Sequence, residues 1–560
     1  MGANEITIVL AGEAGQGIQS IETLLVDTLK KCGFNVFATK EYMSRVRGGI
    51  NSTEISVSEA PVRAHREKID ILIPLDDLAI GHLKKRISSS TFVLGDSTRI
   101  KYEKLINIPF QRIASEFGNP IYSNTVAVGT VCGCMGVGEE ILDAEITAKF
   151  GSKGGDVAEN NIKAASSGYA IGRELKNNGI INISIKKDPT AAGQLLMSGA
   201  DAIAMGAISA GCDACFAYPM TPGSSVFTAM AQLEHRAQIA VEQAEDEISA
   251  VNMAAGAWYA GGRAMVSTSG GGFALMVEGL SLAGMIESPL VIHLAQRPGP
   301  ATGLPTRTQQ GDLNLALYAG HGFFPRAIYA PGSVKEGFEL SAKAFETADS
   351  FQVPVFIMSD QYFVDSYYNA PAPDFSGEKY EKHIVKTGAD YKRYLITKDG
   401  ISPRGVPGYG AGFICADSDE HDEEGRITED LDGVRNAMVE KRMRKMVALK
   451  EAALAPVISG PKDYSRLIIS WGSNYNTIIE ALSIINDAKT AFAHFPQMYP
   501  LHRDTAALLS MAKDLVIIEQ NETGQFADLI KLETGIDIKK RILKYNGMPF
   551  SVEEIVKALK

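Results

Sequence analysis

Cysteine, basic charge and long uninterrupted apolar runs are scarce in this chain, and each shortage excludes a class of protein. Six cysteines among 560 residues are too few and too scattered for a disulfide framework, which favours a reducing compartment. Lys and Arg number 55 against 66 Asp and Glu, and this net charge of −11 argues against nucleic acid as the main ligand. The longest uncharged run, 117–138, is interrupted by Pro, Ser, Asn, Thr and Gly, so no membrane span is predicted. The opening residues also lack the basic and apolar regions of a secretory signal, and we expect a cytoplasmic metabolic protein.

Strand-like and helix-like segments alternate along most of the chain. This alternation predicts an α/β fold built from several open, mostly parallel sheets. The polar stretch KKDPT and a long loop-rich region divide the chain into four parts, 1–186, 191–372, 373–455 and 456–560. The third part contains SPRGVPGYGAG and DSDEHDEEG and ends in a basic helix near 435–450.

Apolar patterns place the individual elements. In the first part they predict strands at Ile6–Ala11, Asn35–Thr39, Thr53–Val57, Ile71–Leu75, Thr91–Leu94 and Ala127–Val131. In the second part they predict a helix over 191–210 and then strands at Ala214–Tyr218, Gln238–Val241, Ala264–Thr268 and Leu290–Leu294. Helical segments between these strands are long enough to join parallel neighbours.

The motif GEAGQG (12–17) stands between the first strand and a helix. Its glycines let the backbone approach an anion, and the following helix N-terminus offers free N–H groups to a phosphate. The spacing differs from the dinucleotide motif G-x-G-x-x-G, and no Lys-Ser/Thr follows as in a P-loop, so a simple tight turn stays open as the alternative. Arg45 and Arg47 in SRVRGG are candidates for a second phosphate contact, or for a solvated basic loop.

Four features follow predicted parallel strands, at the edge where open α/β sheets bind ligands. They are Tyr218-Pro219-Met220-Thr221-Pro222, Glu247, Ser269-Gly270-Gly271-Gly272 and Arg297-Pro298. A guanidinium placed just past a buried apolar strand suits recognition of a substrate anion. Pairing of Arg297 with a local carboxylate is the alternative.

Two of these texts, AYPMTPGSS and QAEDEISAVNMAAGAWYAGGRAMVSTSGGGFALMVEGL, resemble the 2-oxoacid:ferredoxin oxidoreductases. The first resembles the family's Tyr-Pro-Ile-Thr-Pro signature, with Met220 in place of Ile, and the second its thiamine-pyrimidine region. GEAGQG and RVRGG resemble the family's gamma-subunit domain. The order of these texts is similar to that of the fused alpha subunit of the two-subunit enzymes, particularly those acting on 2-oxoglutarate, and the likeness covers essentially the whole chain.

The resemblance implies a role for each part of the chain. Residues 1–186 would be a gamma-like coenzyme A-binding domain, and 191–372 a thiamine diphosphate pyrimidine-binding domain with a substrate clamp. Residues 373–455 would connect these to a transketolase C-terminal-like domain at 456–560. The gamma-like domain would bind coenzyme A through Gly12, Gly15, Gln16 and Gly17, with Arg45 and Arg47; Ala14 departs from the commoner glycine at its position.

In the second domain, the resemblance makes Glu247 the glutamate that hydrogen-bonds the aminopyrimidine of thiamine diphosphate. Glu245 is the next candidate, and Glu242 and Asp246 are rivals because a helix N-terminus favours acids for structural reasons as well. Thr221 and Arg297 would bind the 2-oxoacid and stabilise the oxygen that becomes anionic. An N-cap of the helix near Ser225 is the alternative for Thr221. Arg307 is a candidate for a distal substrate carboxylate, or a surface arginine.

The chain lacks two features that such an enzyme needs. It has no Gly-Asp-Gly followed by Asn-Asn to hold a metal and a diphosphate, and no cysteine run for an iron–sulfur cluster, since Cys212 and Cys215 stand alone. No metal is therefore predicted in this chain. The resemblance implies a beta subunit carrying the thiamine diphosphate and Mg²⁺ site and a [4Fe-4S] cluster, an (alpha-beta)2 heterotetramer, and ferredoxin as electron partner.

The implied reaction is oxidative decarboxylation of 2-oxoglutarate to succinyl-coenzyme A and CO2 with reduction of ferredoxin, or its reverse. The same chemistry on pyruvate or on branched-chain 2-oxoacids is the nearest alternative. A nicotinamide-dependent dehydrogenase using 12–17, and a non-catalytic assembly subunit, are alternatives from other classes.

Overall fold

The computed structural model describes residues 5–13, 16–43, 49–375 and 380–560. The chain forms two compact units that are discontinuous in sequence. The first unit comprises Met1–Met197, Ser366–Ala372 and Ser551–Lys560, and the second comprises Ser198–Asp365 and Pro373–Phe550. The division into four functional parts remains a prediction. Among the described residues, no helix has both the length and the apolar character needed to cross a bilayer.

The strands of the described residues are numbered in chain order. They are β1 Glu5–Glu13, β2 Asn35–Glu41, β3 Ile50–Ser58, β4 Ile71–Pro74, β5 Phe92–Gly95, β6 Leu105–Asn107, β7 Leu195–Ser198, β8 Ala214–Ala217, β9 Ala240–Gln243, β10 Ala264–Thr268, β11 Leu290–Gln296, β12 Ala327–Tyr329, β13 Pro354–Asp360, β14 Tyr367–Ala370, β15 Val457–Ser459, β16 Arg466–Ser470, β17 Thr490–His494, β18 Gln497–Tyr499, β19 Asp514–Glu519 and β20 Lys540–Leu543.

The α-helices are numbered in the same way. They are α1 Ile18–Lys31, α2 Asp77–Leu83, α3 Phe110–Ser115, α4 Ser123–Met135, α5 Glu139–Phe150, α6 Val157–Asn177, α7 Pro189–Ala192, α8 Gly199–Ser209, α9 Ser224–Ala237, α10 Glu247–Tyr259, α11 Gly270–Phe273, α12 Val277–Met285, α13 Leu313–Tyr318, α14 Val334–Phe351, α15 Gln361–Asp365, α16 Asn436–Glu451, α17 Asn474–Ile485, α18 Thr505–Ser510, α19 Gln525–Thr534 and α20 Val552–Leu559. Short 3-10 turns lie at Pro120–Tyr122, Gly151–Lys153 and Ala274–Met276, and a π-helical turn at Leu431–Arg435.

The first unit is built on an eight-stranded sheet with the order β6-β5-β4-β1-β3-β2-β14-β7. The half β1-β4-β5-β6 is parallel, whereas β3 pairs antiparallel with both β1 and β2, and β14 pairs antiparallel with β2. This sheet is therefore mixed, because only a short connection links β2 to β3 and a parallel pairing needs a crossover of a dozen or more residues.

Two sequence predictions of elements are wrong. The run Ala127–Val131 lies inside α4, not in a strand, and all residues from Thr125 to Met135 are buried. Helix α4 packs closely on α6, since a Cβ on Gly129 would lie 2.0 Å from the carbonyl oxygen of Ala165. A helix that is buried on all sides shows no 3.6-residue period of apolar residues. Its sequence pattern is therefore indistinguishable from that of a buried strand.

The single helix predicted over 191–210 is instead a short helix, the strand β7 and the helix α8. The second helix starts at Gly199 because Ser198 and Asp201 form a capping box, in which each side chain accepts a backbone N–H of the other.

The second unit contains two sheets. The seven-stranded sheet has the order β18-β12-β13-β11-β10-β8-β9 and is parallel except for β18. The five-stranded sheet has the order β15-β17-β16-β19-β20 and is parallel except for β15. The predicted class, α/β with several mostly parallel sheets, is confirmed. The parallel register brings the carboxyl ends of β8, β9, β10 and β11 to one edge of the larger sheet.

A buried ion cluster fixes the basic helix α16 in the second unit. Lys441 and Lys445, one turn apart, both reach the carboxylate of Glu287, which lies in the turn before β11. All three side chains are at most 2% exposed. The two ammonium groups hold the pKa of Glu287 far below its ordinary value against the opposing effect of burial. We call these three residues the Glu287 ion cluster.

Candidate active site

The four features predicted at the carboxyl edge of a parallel sheet all follow strands of the seven-stranded sheet. Tyr218–Pro222 follows β8, Glu247 follows β9 as the first residue of α10, Ser269–Gly272 follows β10, and Arg297 follows β11 directly. The strands β9-β8-β10-β11 are neighbours in that order, so the four segments lie side by side. This edge is the candidate active site.

Glu247 is a buried carboxylate with an unused oxygen. The residue is 3% exposed, and its Oε1 is buried without a hydrogen-bond partner. Burial, with a smaller contribution from the nearby Asp246, raises the pKa of Glu247 above its ordinary value, while its own backbone N–H lowers it. An unsatisfied buried carboxylate oxygen is costly unless a ligand satisfies it, so this oxygen is suited to bind a polar group.

The rival acids in this segment have other environments. Asp246 is the N-cap of α10, and its carboxylate accepts the N–H of Ser249 at 2.7 Å. Glu242 and Glu245 are exposed. Glu247 is the one of the four whose side chain is buried, although its role toward a cofactor remains a prediction.

The turn Ser269–Gly272 lies against Glu247 and depends on its glycines. A Cβ on Gly272 would lie 2.4 Å from Oε1 of Glu247 and 2.3 Å from Oγ1 of Thr268. The N–H of Gly272 points at the sulfur of Met220, 3.1 Å away, which joins this turn to the Tyr218–Pro222 loop. The glycine therefore leaves space beside the carboxylate that any side chain would fill.

Arg297 and Thr221 are brought together. Nη1 of Arg297 donates to the backbone carbonyl of Thr221 at 2.6 Å. Burial lowers the pKa of Arg297, and the nearby Asp312 counteracts this. The helix cap proposed as the alternative for Thr221 is wrong, because the N-cap of α9 is Gly223 and no side chain caps that helix. The Thr221 hydroxyl therefore does not cap α9.

A chain of hydrogen bonds under the sheet edge supports the same loop. Oγ of Ser267 donates to the carbonyl of Gly223 at 2.7 Å and lies 2.8 Å from Nδ1 of His293. Nε2 of His293 lies 2.8 Å from Oγ of Ser359. Since Ser267 donates its proton to Gly223, His293 donates from Nδ1 and accepts at Nε2. Burial lowers the pKa of His293 to about 3, so the ring is neutral.

Asp312 is a member of the site that sequence reasoning missed. Burial raises its pKa to about 6 despite the nearby Arg297, and its Oδ2 is buried without a hydrogen-bond partner. Its carboxylate lies against Gly270, where a Cβ would be 2.5 Å from Oδ2. The signal available in the sequence was an acid at the start of a helix after the long loop that follows Arg297.

The glycine-rich turn of the first unit is partly described. Gly12 is the penultimate residue of β1, and Gly17 is the N-cap of α1 with a φ of 78°, a left-handed value that favours glycine. Gln16 closes the turn, since its side-chain oxygen accepts the N–H of Glu13 and its carbonyl accepts Nδ2 of Asn124 at 2.8 Å. Among the described residues around this turn, no side chain caps α1, and the first turn of the helix holds no acid, which suits an anion at this end.

Other predicted contacts stay open. Gly15, Arg45 and Arg47 lie outside the described residues. Arg307 lies on the loop between Arg297 and Asp312, and its Nη1 contacts the sulfur of Met548 at 3.4 Å. Its role toward a distal substrate carboxylate remains a prediction.

The residues of the edge fit the pyrimidine half of thiamine diphosphate. Buried, unpartnered oxygens occur on Glu247, Ser269 and Asp312, all around the same turn, and the space over Gly272 opens onto one of them. In the parts of the chain that the structure describes, no group of three His, Cys, Asp or Glu could hold a metal ion. Burial raises the pKa of the Cys212 and Cys215 thiols, the latter to about 12.

Comparison with known proteins gives a consistent result. The family described as "Pyruvate flavodoxin/ferredoxin oxidoreductase, thiamine diP-bdg" matches residues 205–441, and "Pyruvate ferredoxin/flavodoxin oxidoreductase" matches 7–171. The 2-oxoacid:ferredoxin oxidoreductase subunit alpha of Sulfolobus sp is 31% identical over 98% of this chain and 96% of the relative. The 2-oxoglutarate oxidoreductase subunit KorA of Mycobacterium tuberculosis is 26% identical over 98% of this chain and 90% of the relative.

Among solved structures, the 2-oxoglutarate:ferredoxin oxidoreductase from Magnetococcus marinus, with 2-oxoglutarate, coenzyme A and succinyl-CoA bound, superposes with a TM-score of 0.92. It is 28% identical, and the match covers 99% of both chains.

Proposed function

The chain belongs to the alpha subunits of the 2-oxoacid:ferredoxin oxidoreductases, and from this membership we propose that it catalyses the coenzyme A-dependent oxidative decarboxylation of 2-oxoglutarate, or its reverse. The balanced reaction is 2-oxoglutarate, coenzyme A and two oxidised ferredoxins giving succinyl-coenzyme A, CO2, a proton and two reduced ferredoxins. The observation that carries the proposal is the buried, unpartnered Oε1 of Glu247 on the same sheet edge as the arginine anchor.

The proposed substrate rests on relatives and on the chemistry of the site. The Magnetococcus marinus enzyme, which resembles this chain along its whole length, is named with 2-oxoglutarate and coenzyme A bound. A substrate with two carboxylates suits a site with two arginines on one loop, Arg297 at its start and Arg307 ten residues later. Pyruvate has one carboxylate and would leave Arg307 without a substrate partner.

Glu247 is proposed to hold the pyrimidine of thiamine diphosphate, whose chemistry when bound is to form the carbon nucleophile that attacks a 2-oxoacid carbonyl. The unused oxygen of Glu247 would accept a hydrogen bond from the protonated ring nitrogen of the pyrimidine. Burial raises the pKa of the carboxyl, which would favour proton sharing with that nitrogen more than a fully solvated glutamate does. The burial that raises the pKa also excludes water from this contact.

Arg297 and Thr221 are proposed to hold the substrate. Nη1 of Arg297 already donates to the carbonyl of Thr221, and this hydrogen bond fixes the plane of the guanidinium. The other N–H groups of the guanidinium are left to bind the C1 carboxylate of the 2-oxoacid. The Thr221 hydroxyl lies at the same point of the edge and can donate to the carbonyl oxygen as it becomes negative. Both side chains are part-buried, which strengthens these contacts relative to water.

The remaining components are proposed to come from the first unit and from a partner. The turn with Gly12, Gln16 and Gly17 would bind coenzyme A through backbone N–H groups at the start of α1. A beta subunit would supply the diphosphate and Mg²⁺ site and a [4Fe-4S] cluster, because this chain has no sequence motif for either. The assembly would be an (alpha-beta)2 heterotetramer in the cytoplasm, with ferredoxin as electron partner.

The test is an anaerobic assay of the chain produced together with a beta subunit. Coenzyme A-dependent reduction of methyl viologen is measured with 2-oxoglutarate, pyruvate and 2-oxoisovalerate. We expect kcat/KM to favour 2-oxoglutarate by about tenfold or more. The variant Arg307→Gln should raise KM for 2-oxoglutarate and leave that for pyruvate unchanged.

Other outcomes are informative. Equal or better turnover of pyruvate or 2-oxoisovalerate would contradict the proposed substrate and leave the reaction class intact. A complex that contains its cofactors and is inert toward all three acids would contradict the reaction and favour an assembly subunit.

A further inference from the structure

The backbone of Asp312 is hydrogen-bonded to Gln296, the residue that precedes the proposed substrate anchor Arg297. Its N–H donates to Oε1 of Gln296 at 3.0 Å, and Nε2 of Gln296 donates in turn to the carbonyl of Ser359 at 3.1 Å. Gln296 is buried and ends β11, and Arg297 follows it. The backbone of Asp312 is therefore held beside Arg297 even though fourteen residues lie between them in sequence.

The Asp312 carboxylate lies against the glycine turn, and the charge of Arg297 acts on it. A Cβ on Gly270 would lie 2.5 Å from Oδ2 and 2.7 Å from Oδ1, so only a glycine allows the carboxylate to take this position. Oδ2 is buried and has no hydrogen-bond partner. The side chain thus occupies the site without being used by the fold, unlike a typical helix-capping aspartate, since it makes no cap hydrogen bond at the start of α13.

Arg297 is the charged group that acts on this carboxylate. Its positive charge lowers the pKa of Asp312, burial raises it, and the balance is about 6. The turn Ser269–Gly272 contributes no charge. Helix α19, which packs on α13, contributes the neutral Gln525, whose oxygen accepts the N–H of Asn314. No second cation among these neighbours would hold Asp312 ionised if the charge of Arg297 were neutralised by another anion.

We propose that Asp312 is the internal counter-charge of Arg297 when no substrate is present, and that a 2-oxoacid carboxylate bound at Arg297 takes over this role, so that substrate binding takes up a proton at Asp312. This inference rests on the proposed function, because it needs a carboxylate substrate at Arg297. The proton comes from solvent and returns there when the substrate leaves, and no covalent bond is made or broken. Asp312 is in this sense a positioning residue that acts through Arg297.

The sign of the pH dependence follows. Above about pH 6 Asp312 is ionised in the free protein. A second anion at Arg297 then binds less favourably unless Asp312 is protonated, so affinity falls as pH rises until protonation is no longer possible. Between pH 6 and 8 we expect kcat/KM for the 2-oxoacid to fall by about two- to fivefold, corresponding to a pKa increase of about half to one unit on binding, from the free value of about 6.

Two measurements test this. The first is kcat/KM for 2-oxoglutarate from pH 5.5 to 8.5 at saturating coenzyme A, for the wild-type complex and for Asp312→Asn, which keeps the shape and removes the charge. The second is calorimetric binding of 2-oxoglutarate to the complex freed of thiamine diphosphate, in two buffers of different ionisation enthalpy. We expect uptake of about 0.15 to 0.4 proton per site at pH 7 in the wild type and none in the variant.

Asp360→Asn is the matched control. Burial raises the pKa of Asp360 to about 6 as well, but its carboxylate is used by Ser473 and by the N–H of Phe363. It should leave the fall in kcat/KM in place. If Asp312→Asn keeps that fall, or if wild-type binding takes up no proton, the inference is wrong. The calorimetric result for the wild type decides even if the variant misfolds. Absence of any 2-oxoglutarate binding would contradict the proposed function instead.

Discussion

The second unit contains two sets of buried acids that differ in one respect. In the Glu287 ion cluster the carboxylate meets two ammonium groups, whereas at the sheet edge Glu247 and Asp312 each keep an oxygen with no hydrogen-bond partner. The pKa of Glu287 is accordingly held far below its ordinary value, and those of the other two are raised. Burial alone therefore does not mark a functional carboxylate. The partners that the fold provides, or leaves out, distinguish a structural acid from one suited to a ligand.

The largest expected effect removes the charge at the sheet edge. Glu247→Gln should lower kcat by about 10²- to 10⁴-fold, the usual contribution of a positioned acid–base group. Stability should change little, because Oε1 makes no hydrogen bond within the fold. Viologen reduction and the unfolding midpoint of the same complex measure the two effects. Glu245→Gln, two residues away and exposed, is the control and should behave like the wild type.

The corresponding change in the Glu287 ion cluster should act on stability. Glu287→Gln leaves two buried ammonium groups without their counter-charge, and we expect a loss of about 3–5 kcal/mol in the free energy of unfolding. The two tryptophans, Trp258 and Trp471, are both buried in the second unit, so their fluorescence during urea unfolding reports on it.

The control is a second ion pair of the same helix, made with α19. Lys450 of α16 pairs with Glu533 near the surface, and Glu533→Gln should cost at most about 1 kcal/mol. Equal losses for Glu287→Gln and Glu533→Gln would show that the buried cluster does not hold the unit together.

The smallest effect concerns the hydrogen-bond chain beneath the site. Ser267→Ala removes the donor to the carbonyl of Gly223 and leaves Nδ1 of His293 without its partner. The loop that contains Thr221 then loses a hydrogen bond worth about 0.5–1.5 kcal/mol. We expect KM for the 2-oxoacid to rise roughly two- to tenfold and kcat to change little. Ser341→Ala is the control, since its hydroxyl is equally buried but bonds only within α14. A change in kcat with an unchanged KM would count against the positioning role.

Much of the sheet edge was predictable because its signals are local. A strand followed by a glycine-rich turn or a proline signature fixes both the element and the end at which its residues lie, and parallel strands bring such ends together. Glu247 could be named among several acids, but the sequence could not show which of them is buried. That distinction depends on Gly272 and Thr268, twenty or more residues later in the chain.

Other features are set by tertiary packing and were out of reach. Lys441 and Lys445 stand in a helix rich in basic residues, which is typical of a solvated face, and only the fold shows that Glu287 lies opposite them. Asp312 follows a loop rather than a strand, so no edge rule pointed to it. The helix α4 was predicted as a strand at 127–131 because its burial on all sides removes the periodicity on which the prediction depends.

The two short segments that complete the first unit have a consequence for its biogenesis. Strand β14 pairs with β2, and Val552, the first residue of α20, donates its N–H to the carbonyl of His65. On a ribosome that adds about 5–20 residues per second, the stretch from Met197 to Ser551 takes roughly 20–70 s to emerge. The nascent first unit lacks α20 for that whole time, and until β14 emerges, after about half of it, the edge strand β2 is open to misassembly or to chaperones. In a fragment that ends at residue 197, the edge of β2 would stay exposed permanently.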